Sequence, residues 1–175
     1  MQARYTATAR GLHWLTAAMV LVLVILGIWM TVFEPKDEAV KYRLYDWHES
    51  TGFTLLLLTL LRLGWRATHP APPLPADLPG HLKLAAHGTH AALYTLLLVQ
   101  PVVGFLATNA WGFPFKWWGV VPIPSPIGQN EALAPVLSSI HFWGALLMVA
   151  LIAVHAGAAL WHHFIRRDDT LRKML

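Results

Sequence analysis

The 175-residue chain contains no cysteine. Disulfides, thiolate metal sites and covalent c-type haem attachment are therefore excluded. Charge is scarce too. Asp, Glu, Lys and Arg supply 13% of the residues, against about 25% in an ordinary soluble domain. No sequence repeat and no low-complexity tail is present. What fills the chain instead is apolar, 56% of the total, and it is gathered into long runs.

Four runs reach the ~20 residues that a membrane-crossing helix needs: Gly11–Phe33, Tyr45–Trp65, Leu82–Thr108 and Leu137–Phe164. They predict an all-α, four-transmembrane-helix bundle occupying 1–175 as one domain, with too little sequence between the runs for a separate soluble domain. The first run is too long for the core of a signal peptide, carries His13 and is followed by no small-x-small cleavage site, so it reads as a retained helix.

The net charge of +4 does not mark a nucleic-acid partner, because the cations follow the spans. Arg4, Arg10, Arg62, Arg66, Lys83, Arg166, Arg167, Arg172 and Lys173, nine of thirteen, fall on one side. Lys36, Lys41, Arg43 and Lys116 fall on the other. The positive-inside bias puts both termini in the cytoplasm. Residues 34–44 then form a polar external loop, 66–81 a proline-rich internal one, and 109–136 the longest external one. Trp111, Phe113, Phe115, Trp117 and Trp118 in that last loop read as an interfacial aromatic belt or as a binding surface. Pro101 is expected to kink the third span.

Ionisable residues inside a membrane segment usually face the bundle interior and mark a site. Ten histidines are present. His141 and His155 lie fourteen residues apart on one run, close to four helical turns, so they share a face about 21 Å apart along the axis. In a hydrocarbon core about 30 Å thick, each approaches one side. With alternating spans, His13 reaches the depth of His155 and His48 that of His141. Two facing imidazole pairs at two depths are what two stacked haems require, and a bundle core is a common place for such a cofactor.

The same ruler puts Gly27 below His13 at the depth of the external pair, where a missing side chain leaves room for a macrocycle. It puts Arg62 at the depth of the internal pair, either paired with a haem propionate or snorkelling at a helix end. Gly52 and Gly144 are weaker space-making candidates. His87 and His90 read first as polar interior residues and second as competing ligands. His162 and His163 read as partners of the last helix carbonyls, His162 also as a propionate neighbour. His69 and His81 read as solvated. A clustered non-haem di-iron site is the competing metal reading, but the histidines are dispersed.

Ala9-Arg10-Gly11-Leu12-His13-Trp14, Trp47-His48-Glu49-Ser50-Thr51-Gly52, Ala86-His87-Gly88-Thr89-His90 and Ile140-His141-Phe142-Trp143 resemble segments of the bacterial cytochrome b561 family. So does His155-Ala-Gly-Ala-Ala-Leu-Trp-His162-His163-Phe164, followed by Arg167-Asp168-Asp169-Thr170-Leu171. The resemblance covers essentially the whole chain. It implies one haem b on His13 and His155, a second on His48 and His141, and electron transfer between the aqueous phase and membrane quinone. Within that family it points to a stand-alone superoxide:ubiquinone oxidoreductase of the bacterial inner membrane, with a cytochrome b subunit serving a dehydrogenase or hydrogenase as the alternative. Membrane lipid, quinone and superoxide are the expected partners. Lys36, Lys41, Arg43 and Lys116 are candidates to steer superoxide, diluted by Glu34, Asp37 and Glu38.

Overall fold

A computed structural model describes residues 4–175; the first three positions of the expected 1–175 domain lie outside the described residues. Local caps set the helix starts. The Thr6 hydroxyl accepts from the Ala9 N–H at 3.2 Å and opens α1, Ala7–Ile28. A π-helical turn, Trp29–Phe33, continues it until Glu34 takes a left-handed φ of 39°. The Asp37 carboxylate accepts from Ala39 and Val40 N–H at 2.8 and 3.2 Å, starting α2, Glu38–Thr68. Glu38 adds negative charge where the helix dipole favours it. α2 therefore begins inside the segment 34–44 expected as loop, because its cap lies upstream of the apolar run. α3 spans Gly80–Ala110 and passes Pro101 without ending. α4 spans Leu133–Trp161 and runs into a second π-helical turn, His162–Arg166.

Among the described residues three helical stretches are long and apolar enough to cross a membrane: Ala7–Phe33, Gly80–Ala110 and Leu133–Arg166. α2 matches α3 in length, 31 residues each, but falls short of the apolar requirement. Asp46, His48, Glu49, Ser50, Thr51, Thr59 and Arg62 interrupt it. It occupies the inner place in the bundle, packed against both α1 and α3. Ser50, Thr51 and Thr59 are buried there. Thr54 and Thr59 hydroxyls donate to the carbonyls of Ser50 and Leu55, each at 2.8 Å, so these hydroxyls need no water. By contrast Leu21, Val32, Leu61, Leu147, Val154 and Phe164 are exposed, which suits a lipid-facing surface.

The helices pack in chain order, α1 on α2, α2 on α3 and α3 on α4; among the described residues the backbones of α1 and α4 scarcely approach. One buried residue from each helix forms the central cluster, Val20, Leu55, Leu97 and Met148. The N-terminal turn, the α2–α3 connection and the C-terminal tail meet at one end. Tyr5 N–H donates to the Lys173 carbonyl at 3.3 Å, the Trp14 indole to Met174 at 3.0 Å, and Lys173 Nζ to Pro73 at 2.9 Å. We call this the terminal end. At the opposite, loop end a two-stranded hairpin pairs β1, Lys116–Trp117, with β2, Val121–Pro122. It docks on α2: Trp118 N–H donates to Ser50 Oγ at 2.9 Å, and the Trp117 and Trp118 indoles donate to Thr54 Oγ1 at 3.0 and 3.2 Å. Phe115 is buried between Phe53 and Phe105. Two of the five aromatics of the expected belt, Phe115 and Trp117, thus form a plug, while Trp111, Phe113 and Trp118 stay exposed.

Gly144 on α4 is where the Gln100 amide of α3 sits; a Cβ there would overlap it. Gly144→Leu should therefore cost about 1–3 kcal/mol by overpacking and lower the thermal midpoint in detergent. An unchanged midpoint would contradict this close α3–α4 contact.

Candidate functional site

A seven-residue register runs through all four helices. Seven residues are about two turns and about 10.5 Å of rise, so residues at that spacing share a face. Val20, Leu55, Leu97 and Met148 make the central layer. One step toward the terminal end lie His13, Arg62, His90 and His155; one step toward the loop end lie Gly27, His48, Gly104 and His141. Two polar layers are thus held apart by an apolar one.

In the terminal-end layer the His13 and His155 rings stand 6.2 Å apart between centroids, across the seam between α1 and α4. His90 stands 5.2 Å from His155. Arg62 points inward, its Nη2 2.9 Å from His13 Nδ1 and its guanidinium 5.1 Å from the Tyr94 ring centroid. Of the two readings for Arg62, the snorkelling one does not describe this geometry. His87, grouped with His90 by sequence, is exposed. Three residues turn a helix by about 300°, enough to separate them.

In the loop-end layer the His48 and His141 rings stand 6.0 Å apart. Gly27 lies against His48, where an added Cβ would be 3.7 Å from Cε1. His141 packs directly on α3, since a Cβ on Gly104 would come within 2.9 Å of its Cε1. His141 Nδ1 donates to the Gln100 carbonyl at 3.1 Å; a carbonyl has a second lone pair for this beyond its helical bond. Beside His48, the Thr108 hydroxyl donates to Glu49 Oε1 at 2.8 Å. Gly52 meets Leu23 and Gly144 meets Gln100, so neither makes room between the imidazoles.

Gly104, Gln100 and Glu49 escaped the sequence reading. Glu49 was legible as a carboxylate inside an apolar run. Gly104 follows from counting seven beyond Leu97, but nothing in α3 alone marks Leu97 as the reference point.

These residues fit a haem better than a bare ion. Among the described residues, no group of three or more His, Asp or Glu is gathered to hold a metal. The donors come as opposed imidazole pairs. A metal bound by one nitrogen of each ring at about 2 Å, with about 1 Å from nitrogen to ring centre, would set the centroids about 6 Å apart, the separation seen in both pairs. Among the described residues His48 Nδ1 is buried with no partner, a costly state for a polar atom. The Gln100 bond leaves His141 Nε2 free as a ligand atom. His13 differs: a guanidinium can only donate, so the Arg62 bond places the His13 proton on Nε2.

The remaining histidines have local roles. His162 Nδ1 bonds Asp168 Oδ2 at 2.6 Å, so its partner is a carboxylate of this chain. His69 stacks on Trp65 at 3.9 Å, and His81 is exposed.

The family model described as prokaryotic cytochrome b561 matches residues 4–175. "Cytochrome b561 homolog 2" of Escherichia coli (strain K12) is 36% identical over 173 residues, covering 98% of this chain and 91% of that protein. "Probable superoxide oxidase CybB" of Yersinia pestis is 30% identical over 180 residues, covering 100% and 97%. "Cytochrome b562" of Cereibacter sphaeroides is 31% identical over 177 residues, covering 98% and 94%.

The family implies a b-type haem, and the site offers a local test of where the ring of His141 must sit. Gly104→Val should push that ring off α3 and lower haem content per chain, read as a pyridine haemochrome; full haem content would dissociate Gly104 from the site. Paired imidazoles on apolar helices and a match over nearly the whole length agree: the chain belongs to the prokaryotic cytochrome b561 family of membrane electron-transfer proteins.

Proposed function

We propose that the chain holds two haem b groups, one between His13 and His155 and one between His48 and His141. It carries electrons from superoxide at the periplasmic face to ubiquinone. In this reading all four helices, α2 included, cross the bacterial inner membrane, and both termini are cytoplasmic. The terminal end is then the cytoplasmic end. The observation that carries the proposal is the layered pairing: opposed imidazoles about 6 Å apart at two depths, with Val20, Leu55, Leu97 and Met148 between.

Bound haem iron supplies a reversible one-electron couple. The protein's residues do the rest. His13 with His155, and His48 with His141, would hold the haem from both sides, so superoxide would give up its electron without binding the metal. The Gln100 carbonyl holds the His141 tautomer with Nε2 unprotonated. To hold a haem, His13 would exchange its Arg62 contact, and Arg62 would be available to a propionate, a match of forked guanidinium to carboxylate. The central apolar layer excludes water between the two polar layers. Lys36, Lys41, Arg43 and Lys116 are exposed at the loop end and attract an anion, offset by Glu34, Asp37 and Glu38.

Haem quantitation and reduced-minus-oxidised spectra test the pairing. Wild type should carry two b haems per chain. His48→Ala or His141→Ala should lose one and His13→Ala or His155→Ala the other. Retention of both in His13→Ala, with loss in His90→Ala, would move the α1 ligand to α3. Superoxide-driven reduction of ubiquinone by the purified chain tests the activity; its absence, with both haems present, favours the partner-served cytochrome subunit.

The cysteine-free sequence makes the orientation easy to test. Glu38→Cys should react with an impermeant maleimide on intact spheroplasts, and Ala76→Cys only after permeabilisation. The reverse pattern would invert the topology.

A further inference from the structure

Gln100 is buried between two of the layers and belongs to neither. It stands on α3, three residues beyond Leu97 and four before Gly104, between the apolar layer and the loop-end one. It is 7% exposed. Its Oε1 is buried without a hydrogen-bond partner among the described residues, a costly state for an amide in apolar surroundings. Its Nε2 occupies the place that a Cβ on Gly144 would take, and its Cδ would lie 2.8 Å from that Cβ. Shape therefore holds the amide: a flat end group seated against the bare backbone of α4.

The same residue touches α4 a second time. Its backbone carbonyl accepts from His141 Nδ1 at 3.1 Å. His141 and Gly144 are three residues apart, neighbours on one face of α4. Gly104, four residues beyond Gln100 on one face of α3, is the floor under the His141 ring, where an added Cβ would lie 2.9 Å from Cε1 and 3.2 Å from Nδ1. Three contacts thus bear on one imidazole. The floor limits the tilt of the ring, the carbonyl sets its tautomer, and the amide in its hollow sets the height of α3 against α4. Pro101 makes the third contact necessary. Proline has no N–H, so the Leu97 carbonyl loses its helical partner at the turn that presents the Gln100 carbonyl. A helix loosened there needs an outside hold to keep that carbonyl aimed at His141.

We propose that Gln100 is a positioning residue for the loop-end pair: its amide, seated in the Gly144 hollow, registers α3 on α4 so that its carbonyl holds the plane and tautomer of His141. The His48 and His141 planes stand at 81°, and this contact keeps that angle. The proposal rests on the reading above of His141 as a haem ligand. A hydrogen bond from Nδ1–H to a carbonyl makes the imidazole a stronger donor. A stronger donor favours ferric iron and lowers its potential. Gln100 thereby acts, through His141, on the potential at the loop end.

The test uses the purified haem-loaded protein, with potentiometric titration and low-temperature electron paramagnetic resonance of the oxidised form. The largest g-value of a low-spin ferric haem follows the angle between its two imidazole planes, so it reports ring placement without turnover. The signal missing from His141→Ala identifies the loop-end haem. Gln100→Ala empties the hollow, and Gly144→Ala fills it from the other side. Each should move that g-value and raise the loop-end midpoint while the other haem keeps both values. Gln100→Met, unbranched and of equal length, should stay at wild-type values. With both alanines present the overlap is gone, and the shift should not exceed that of Gln100→Ala alone. If Gln100→Ala fails to assemble, Gly144→Ala, which keeps every polar group, carries the same readings. A lowered thermal midpoint with g-value and potential unchanged would assign Gln100 a packing role and overturn the proposal. So would a potential shift at constant g-value, the mark of an amide dipole acting through space. A Gln100→Met shift as large as that of Gln100→Ala would overturn it too. Retention of both haems in His141→Ala would defeat the ligand reading itself, whereas loss of one haem there, with no response to Gln100 or Gly144, would defeat this proposal alone.

Discussion

The two-turn register is the constraint on which the structure depends. An ideal helix repeats every 3.6 residues, so a seven-residue step drifts by only about 20°. Over two steps, all four helices keep one narrow face turned to the bundle axis. Each face carries a polar or empty position, an aliphatic one, and a second polar or empty position. Polar side chains are expensive in hydrocarbon unless grouped. The register groups them: Arg62 finds His13, His155 finds both His13 and His90, and Gly27 and Gly104 clear the flanks of His48 and His141. A slip of one residue on any helix would rotate its face by about 100° and break two layers at once.

This explains which parts of the site could be read from sequence. α4 states the register outright, because both of its polar positions are histidines fourteen apart. α1 and α2 state half of it, through His13 and His48, and their other halves, Gly27 and Arg62, follow by counting. Gly27 indeed lies against His48, and Arg62 lies in the terminal-end layer, though on an imidazole. α3 states nothing: His87 and His90 are equal candidates until packing shows which one faces inward. The α2 start was missed for a similar reason. Apolar runs report lipid or core contact, whereas Asp37 acts through two backbone N–H groups that hydropathy does not see. The Asp168 contact on His162 depends on a left-handed Arg167, which no propensity anticipates.

The four inner histidines are not chemically equivalent. His141 donates to a carbonyl and presents an unprotonated Nε2, so its ligand atom is preset by α3. His13 faces a permanent donor and presents the opposite tautomer. In the proposed reading the two layers would therefore bind a metalloporphyrin at different cost. The loop-end pair needs only the filling of its space, and the terminal-end pair needs Arg62 to turn from imidazole to carboxylate. That exchange is matched in charge, because a propionate supplies the anion that Arg62 lacks within its layer.

Splitting the chemistry between the two ends has an energetic consequence. In the proposed reading, electrons enter at the periplasmic loop end and pass toward the cytoplasmic terminal end. Each electron passing from the loop-end layer to the terminal-end layer then moves negative charge inward. Against an inside-negative potential this costs about 2.3 kcal/mol per electron per 100 mV. The difference in redox potential between superoxide and quinone must exceed that cost. The apolar layer of Val20, Leu55, Leu97 and Met148 separates the two polar layers between which this charge would pass.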